Sequence, residues 1–495
     1  MSASTERKNR AAAKAAGTDK KTLAVQEAEQ KARKTKRRWV IGTIAVLLCI
    51  ALVLFLSSPI MYRITTAVSV GDKNYSPADV KYVRASAKAS LGNAIGFGGV
   101  SYDQLVSYFG QETADQLLEQ ATSGNLVRNT ALLKTAAEQG LSLSSAEKSA
   151  IADSVKTQIG YMKDAAKLNG VSTATYMSYV FGAGVNENVM RKNMEEGVLA
   201  EKAYLDKSIS LSFIPEELTA YYEDPADGDL FSYMSYLVAV NDERTAEEAK
   251  TAAEAMMMSF TDGRDEAVEP QVAFTELLAE EFPDAAPTTR TDVLGSNLDE
   301  SFRSWLTDES RQAGDITVID AGEESGWYVL MFQERKDNTE EVAAVRHILV
   351  KAEADENGVY TDEAKAAAKA EAEKILADFE KTGKTEADFA ILAYLLSEDS
   401  GSSGNGGLYS TLTPGQTVPE FDAFCFADHQ YGDTAIVYGE SDAYAGYHVM
   451  FFVERMPGRD AVARDALRSQ AMSDWSSALV EGLEPVTHWA NKLVD

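Results

Sequence analysis

The sequence predicts an α+β protein with an N-terminal transmembrane helix, a helical body and two α/β units inserted into that body. Three observations predict this class. Residues 39–62 carry no charge, apolar residues recur at helical spacing between positions 68 and 225, and residues 228–456 contain an internal repeat. The chain of 495 residues is long enough for about three domains with cores of their own.

The N-terminal segment combines a basic tail with an apolar run. Residues 1–38 hold 12 Lys and Arg against 4 Asp and Glu, a net charge of +8, so the other residues carry −38 to give the total of −30. About 20 apolar residues span a bilayer, whereas a cleaved signal peptide has a shorter apolar region and a small-residue cleavage site. Because Ser57-Ser58-Pro59 is a poor cleavage site, we expect residues 39–62 to form an uncleaved anchor.

The charge asymmetry also predicts an orientation in the plasma membrane. Positive residues beside a transmembrane helix stay in the cytoplasm, so residues 1–38 should be cytoplasmic and residues 63–495 extracytoplasmic in a single-pass protein. The basic cluster at 33–38 lies next to the apolar run, which favours anionic lipid headgroups over nucleic acid, and the acidic remainder argues against a nucleic-acid partner. Cys49 and Cys425 are the only cysteines, and no disulfide is expected between them.

The region from 68 to 225 is predicted to be a short strand followed by helices. Val68-Ser69-Val70 is typical of a strand, and Ser76 with Pro77 is typical of a helix start. Leu126, Leu133 and Leu141 recur at helical spacing, and Pro215 begins a further helix.

The internal repeat consists of two α/β units of the same order: strand, long helix, shorter helices, strand. Residues 326–335 and 446–455 align without a gap and are identical at five of ten positions. Upstream, residues 236–238 correspond to 348–350 at an offset of 112, and the helix starts at Thr245 and Thr361 correspond at 116. Offsets that grow from 112 through 116 to 120 are what loop insertions in one copy produce, so the sequence predicts a duplication.

The second unit resembles a known enzyme family. Its motifs are Arg346-His347-Ile348-Leu349-Val350, Ser397-Glu398-Asp399, Gly406-Gly407, Val418-Pro419-Glu420-Phe421 and Gly446-Tyr447-His448-Val449. In this order they resemble the signature of the parvulin peptidyl-prolyl cis/trans isomerases. The resemblance implies rotation of X-Pro bonds without a cofactor or metal. A membrane-tethered isomerase would act as a folding factor on unfolded or newly exported polypeptides.

The resemblance also assigns roles to individual residues. His347 and His448 match the two facing histidines of the central strands, and Asp399 matches the Cys or Asp at the mouth of the site; these are the expected catalytic residues. The expected substrate-binding residues are Leu349, Phe421 and Phe426, which match the apolar wall around the proline ring, and Thr417, where the family usually has Met or Leu. Taken alone, a histidine before Ile-Leu-Val is more often a core residue, and Asp399 would be a turn residue.

Departures from the family pattern occur in both units. In the second unit Leu408-Tyr409-Ser410 follows the glycine pair where the family often has Asp-Leu-Gly, and Thr417 should weaken the grip on proline. In the first unit Ser235 and Tyr328 stand at the two histidine positions. We therefore expect a degenerate, non-catalytic parvulin-like domain there.

Residues 129–144 resemble the helical chaperone part of extracytoplasmic foldases of the PrsA and SurA type. The predicted organisation is a basic tail at 1–38, an anchor at 39–62, a SurA-N-like helical chaperone domain at 63–227 completed by 459–495, a degenerate parvulin-like domain at 228–336 and a parvulin domain at 341–456. The alternative is a non-catalytic holdase or envelope scaffold, which has no need of His347, Asp399 and His448. The oligomeric state, including a homodimer, is left open.

Overall fold

The computed structural model describes residues 3–56, 58–265, 267–282, 285–322, 324–441 and 443–494. The helices are α1 Ala3–Ala15, α2 Lys20–Leu56, α3 Met61–Ile64, α4 Pro77–Ala94, α5 Tyr102–Phe109, α6 Gln111–Gln139, α7 Ser145–Leu168, α8 Thr173–Phe181, α9 Glu187–Ile209, α10 Pro215–Ala220, α11 Ala246–Gly263, α12 Pro270–Glu281, α13 Glu300–Leu306, α14 Asp362–Phe379, α15 Glu386–Leu396, α16 Pro419–Phe426 and α17 Gly458–Val480. The strands are β1 Val68–Val70, β2 Lys73–Tyr75, β3 Leu230–Ala239, β4 Thr288–Leu294, β5 Ile316–Asp320, β6 Gly326–Lys336, β7 Glu341–Lys351, β8 Leu408–Leu412, β9 Thr434–Ser441, β10 Tyr444–Pro457 and β11 Pro485–Thr487.

Helix α2 runs from the basic tail into the apolar run and ends at Leu56. Across the described residues, none of the helices is long and apolar enough to cross a membrane. This finding does not support the anchor predicted at residues 39–62. One residue of that range, residue 57, lies outside the described residues. The anchor stays a prediction.

The chain forms two compact units. The first consists of residues 1–127, 158–193 and 483–495, and the second of residues 128–157 and 194–482. The division runs through the helical domain predicted at 63–227 and 459–495, because helices α6, α7 and α9 each contribute residues to both units.

In the first compact unit the end of the chain returns to a strand near residue 68. Strand β1 lies between β2 and β11 in an antiparallel sheet, with Val68 opposite both Tyr75 and Thr487. Helix α4 follows, and the Ser76 side chain accepts a hydrogen bond from the Asp79 backbone N–H at its start. The predicted strand at 68–70 and the predicted helix start at Pro77 are confirmed.

In the second compact unit a buried ion-pair cluster holds three helices together. The Lys202 ammonium of α9 lies 2.8 Å from a Glu147 carboxylate oxygen of α7 and 2.7 Å from an Asp388 carboxylate oxygen of α15. All three residues are buried. Removing one member of such a cluster leaves a buried charge without its partner, so the cluster fixes α15 against the helical part of this unit.

The two α/β units have the same topology. Their four-stranded antiparallel sheets have the orders β4-β3-β6-β5 and β8-β7-β10-β9. Ser235 lies opposite Leu330 in the first sheet, and His347 lies opposite Met450 in the second, which reproduces the sequence offsets of 112 and 120. The predicted repeat is confirmed at the level of strand order and register.

The second sheet is covered on both faces, and this places the histidines. Ile348, Val449 and Phe451 pack against α14 and α15 on one face. Val345 and Met450 pack against α16 on the other face. Because side chains alternate along a strand, His347 and His448 share the face that carries α16.

Candidate active site

The two histidines meet on adjacent central strands. On the antiparallel pair β7–β10, His448 lies opposite Leu349, and His347 lies opposite Met450, so the two rings are diagonal neighbours on one face. Their Nδ1 atoms are 3.0 Å apart, and the ring centroids are 5.2 Å apart. Both residues are buried, with 2 % and 3 % of their surface exposed.

Asp399 accepts hydrogen bonds at one end of the histidine pair. Its Oδ2 atom lies 2.9 Å from His347 Nε2 and accepts from the hydroxyls of Ser402 at 2.5 Å and Tyr409 at 3.0 Å. The Gly401 N–H donates to its Oδ1 atom at 3.1 Å. The hydrogen bond to His347, followed by those from Ser402 and Gly401, holds the pKa of Asp399 well below its usual range. Asp399 is therefore ionised at neutral pH and acts as an acceptor only.

Tyr444 lies at the other end of the pair, with its hydroxyl 2.9 Å from His448 Nε2. Burial, together with the neighbouring His347 ring, lowers the pKa of His448 to about 3, so this ring is neutral at physiological pH. Each of the four ring nitrogens of the pair therefore has a protein partner.

The glycine pair of the active-site loop has a steric explanation. Gly406 and Gly407 have φ angles of +72° and +74°, in the left-handed region that favours glycine. A Cβ atom on Gly407 would lie 2.2 Å from the His347 carbonyl oxygen, and the His347 N–H donates to the Gly407 carbonyl at 2.9 Å. The buried Arg346 guanidinium donates to the Gly406 carbonyl at 3.0 Å. Hydrogen bonds from His347 and from the preceding Arg346 therefore fix the loop to strand β7.

Phe421 and Leu349 lie beside the histidines. The Phe421 ring on α16 is edge-on to both rings, with centroids 5.3 Å from His347 and 5.1 Å from His448. Leu349 is buried and lies two residues from His347, so it shares the same face of β7.

The two remaining predicted residues lie at the ends of the α16 segment. Phe426 is half-buried against the cluster that contains Phe424 and Met450. Thr417 precedes α16, and its Oγ1 atom is buried without a hydrogen-bond partner in the described part of the chain. The structure thus assembles His347, Asp399, His448 and Phe421 into one cluster, while the roles of all seven predicted residues stay predictions.

Comparison with known proteins agrees with this geometry. Residues 328–455 match the PPIC-type PPIase domain family. The chain carries a parvulin-type peptidyl-prolyl isomerase domain. The match begins in strand β6, which precedes the sheet of the isomerase domain. It ends in strand β10, two residues before that strand ends at Pro457.

Relatives of the whole chain are more distant. The chaperone SurA of Alkalilimnicola ehrlichii is 25% identical over 369 residues, which cover 72% of this chain and 79% of that protein. The structure of PrsA from Bacillus anthracis is 15% identical with a TM-score of 0.19, covering 56% of this chain and 93% of that chain. The foldase PrsA from Streptococcus pneumoniae is 12% identical with a TM-score of 0.20, covering 60% and 88%. TM-scores this low do not establish a shared overall arrangement.

The sequence assigned no role to four residues of the isomerase domain site: Arg346, Ser402, Tyr409 and Tyr444. Arg346 belongs to the first motif and Ser402 lies three residues after Asp399, so their nearness to His347 and Asp399 in the chain was a usable signal. Tyr409 was noted only as a departure from the family pattern. In the described ranges, no group of three or more His, Cys, Asp or Glu side chains is placed to hold a metal ion.

Proposed function

We propose that this protein is an extracytoplasmic folding factor that isomerises X-Pro bonds in newly exported polypeptides and also acts as a chaperone. The cluster of His347, His448 and Asp399 beside the edge of Phe421 carries the isomerase part of the proposal. It lies within the range that matches the PPIC-type PPIase domain family.

The arrangement suits isomerisation without covalent chemistry. Rotation about an X-Pro bond has a barrier of about 20 kcal/mol and takes tens of seconds or more unaided. In the twisted state the imide loses its resonance and therefore its charge separation, so an apolar wall such as Phe421 and Leu349 stabilises that state relative to the planar one. An acceleration of roughly 10⁴–10⁶-fold requires a barrier lowered by about 5–8 kcal/mol.

The histidines are placed to shape the pocket and not to attack the substrate. A nucleophile or general base needs a nitrogen within reach of the substrate, and all four ring nitrogens are occupied by His347, His448, Asp399, Ser402 or Tyr444. The pair therefore forms a fixed, hydrogen-bonded floor next to the edge of Phe421.

The chaperone part rests on exposed apolar side chains of the first compact unit. Leu168 and Tyr179 are 89% and 87% exposed, and Tyr161 and Tyr108 are 72% and 64% exposed. Large apolar groups on helices offer contact area to unfolded polypeptide segments. The similarity to the chaperone SurA supports the same activity.

The location is proposed from the sequence. The +8 tail at residues 1–38 beside the uncharged run at 39–62 supports a single-pass anchor in the plasma membrane with residues 63–495 outside. Protease added to intact protoplasts should digest the large domain and leave a small membrane-bound fragment. Full protection would contradict this orientation, and a soluble mature chain would mean that the anchor is cleaved.

The isomerase proposal is tested by exchange NMR on an Ala-Pro peptide with the full chain, which avoids a coupling protease. We expect catalysed exchange with the wild type and its loss with His347→Ala. His488→Ala is the matched control, since it makes the same change at an exposed histidine that hydrogen-bonds Ser69, outside the isomerase domain. A folded wild type that accelerates no exchange would favour the non-catalytic holdase.

A further inference from the structure

The histidine pair has a hydrogen-bond partner at each end. At one end the partner is the Tyr444 hydroxyl, and at the other it is the Asp399 carboxylate, which also accepts a hydrogen bond from Tyr409. Neither Tyr444 nor Tyr409 belongs to the motifs that predicted the site. We propose that these tyrosines are positioning residues which fix the histidine pair from its two ends and so determine which ring nitrogens carry hydrogen. The kinetic part of this inference rests on the isomerase activity proposed above.

The order of hydrogens follows from the Asp399 end. Because the ionised carboxylate can only accept, the hydrogen on that contact must belong to His347 Nε2, 2.9 Å away. Only one hydrogen fits between the two Nδ1 atoms, which are 3.0 Å apart, and we assign it to the neutral ring of His448, so that His347 Nδ1 accepts it. That leaves His448 Nε2 as an acceptor, which requires a donor.

Tyr444 is placed to be that donor. Its hydroxyl lies 2.9 Å from His448 Nε2, and burial raises its pKa, so the hydroxyl keeps its hydrogen. The partner of one imidazole nitrogen decides which nitrogen of the ring is protonated. Tyr444 thus selects the Nδ1–H form of His448, and this form donates to His347.

The space for this contact is provided by a glycine on the neighbouring strand. Gly439 of β9 faces the contact, and a Cβ atom there would lie 2.8 Å from His448 Nε2 and 3.1 Å from the Tyr444 hydroxyl. A larger residue at position 439 would displace one of the two groups. The fold therefore leaves room at the place where the hydroxyl and the imidazole meet.

Tyr409 acts at the opposite end in two ways. Its hydroxyl donates to Asp399 Oδ2 at 3.0 Å, and its ring stacks on His347 with centroids 5.3 Å apart and planes 28° apart. Burial, followed by the Asp399 charge, raises the pKa of Tyr409 to about 12, so it also remains a donor. The stack fixes the plane of His347, and the hydrogen bond fixes the carboxylate that its Nε2–H meets.

The experiment measures the histidine tautomers directly, by long-range ¹H–¹⁵N NMR of the full chain labelled at its four histidines. In the wild type we expect His448 to be protonated at Nδ1 and His347 at Nε2. Tyr444→Phe should convert His448 to a mixture of tautomers and lower kcat for an Ala-Pro peptide roughly threefold to tenfold, as expected for one lost hydrogen bond. KM should stay unchanged, because the proposed role of the hydroxyl is to position His448 and not to bind the peptide.

The other variants separate the two tyrosines. Tyr409→Phe keeps the stacked ring and loses the hydroxyl, so its effect on kcat should be smaller than that of Tyr409→Leu, which loses both. Tyr438→Phe is the matched control, because it removes a tyrosine hydroxyl of β9 that bonds Glu440, away from the histidines. It should leave both tautomers and kcat as in the wild type.

The outcomes are distinct. Wild-type tautomers in a folded Tyr444→Phe protein would overturn the inference, whether or not turnover falls. A rise in KM with unchanged kcat would also overturn it, since the tyrosine would then act on the peptide. A tautomer change in a protein whose wild type shows no turnover would uphold the positioning role and refute the isomerase activity.

Discussion

The two α/β units share a fold but differ in the residues on their central strands. Threonines, Thr245 and Thr361, cap the first long helix of each unit. An aromatic ring also stands edge-on to the second central strand in both. The ring centroids of Phe302 and Tyr328 are 4.9 Å apart in the first unit, and those of Phe421 and His448 are 5.1 Å apart in the second.

The difference between the units lies in what faces that aromatic ring. Ser235 and Tyr328 replace the histidines in the first unit, where they line a cavity of about 530 Å³ together with Arg290 and Phe302. In the second unit the corresponding face carries the hydrogen-bonded pair and Asp399. The comparison teaches that each sheet and its helix hold an edge-on aromatic ring whether or not the histidine pair and Asp399 are present. A few side chains on two strands therefore distinguish the units chemically.

The largest expected effect comes from giving the second unit the residues of the first. The double substitution His347→Ser and His448→Tyr should lower kcat/KM for an Ala-Pro peptide by roughly 100-fold or more, because it removes the pair and leaves Asp399 without its imidazole donor. The protein should remain folded, since the first unit accommodates the same two residues.

Exchange NMR on the full chain measures this effect, and Ser235→Ala in the first unit is the control that should keep wild-type turnover. Equal losses in the two proteins would mean that the first unit contributes to catalysis. Retained turnover in the double variant would remove the histidines from the mechanism.

The next effect concerns the glycine pair at positions 406 and 407. Gly407→Ala should destabilise the isomerase domain by about 2 kcal/mol or more, because the alanine would adopt a φ of +74° and its Cβ would meet the His347 carbonyl at 2.2 Å. Hydrogen-exchange mass spectrometry of the β7 and β10 peptides measures this. Gly404→Ala in the same loop is the control, since a Cβ there has no atom within 4 Å. Equal protection in both variants would show that the loop relaxes without disturbing the strand.

A smaller effect is expected from pH. The pKa of His448 falls from 6.5 to about 3 on folding, so between these values the unfolded state binds the proton and the folded state does not. Stability of the isomerase domain should therefore fall as pH decreases from 6.5, by at most about 1.4 kcal/mol per pH unit. Asp399 does not add to this pH dependence above its ordinary pKa of 3.8. Because its pKa is lowered in the folded protein, its contribution to stability is fully present there.

The first unit has Tyr328 at this position, so strand β6 should lack this dependence. Hydrogen exchange of β10 and β6 peptides between pH 4.5 and 6.5, corrected for the intrinsic exchange rate, compares the two. His448→Tyr should reduce the pH dependence of hydrogen-exchange protection in the β10 peptides. A slope that persists in that variant would assign it to another group.

Sequence patterns predicted the parts of this comparison that depend on periodicity. Strand and helix patterns repeat along both units, and adjacent antiparallel strands bring His347 and His448 to one face. The contact between Tyr444 and His448 was not predicted in this way. The two residues are four positions apart on one strand, which places their Cα atoms roughly 13 Å from each other. The Tyr444 hydroxyl nevertheless lies 2.9 Å from His448 Nε2, a contact that the spacing of the two residues along the strand does not predict.

The buried Lys202 cluster was equally hidden from the sequence. Its partners Glu147 and Asp388 are 55 and 186 residues away along the chain. Charged residues at such separations carry no periodic signal, and their pairing follows only from the packing of α7, α9 and α15.

The smallest expected effect tests the apolar wall at Thr417. Its buried Oγ1 atom has no hydrogen-bond partner in the described part of the chain, and the parvulin resemblance places Met or Leu there. Thr417→Met should lower KM for an Ala-Pro peptide roughly twofold to fourfold, since one further buried methylene contributes about 0.8 kcal/mol. Thr417→Val keeps the size and removes only the hydroxyl, so it separates the cost of the unpartnered oxygen from the gain in contact area. If Val lowers KM as much as Met, polarity limits the grip on proline. If neither changes KM, Thr417 lies outside the wall, and Phe421 with Leu349 forms the contact surface on this side.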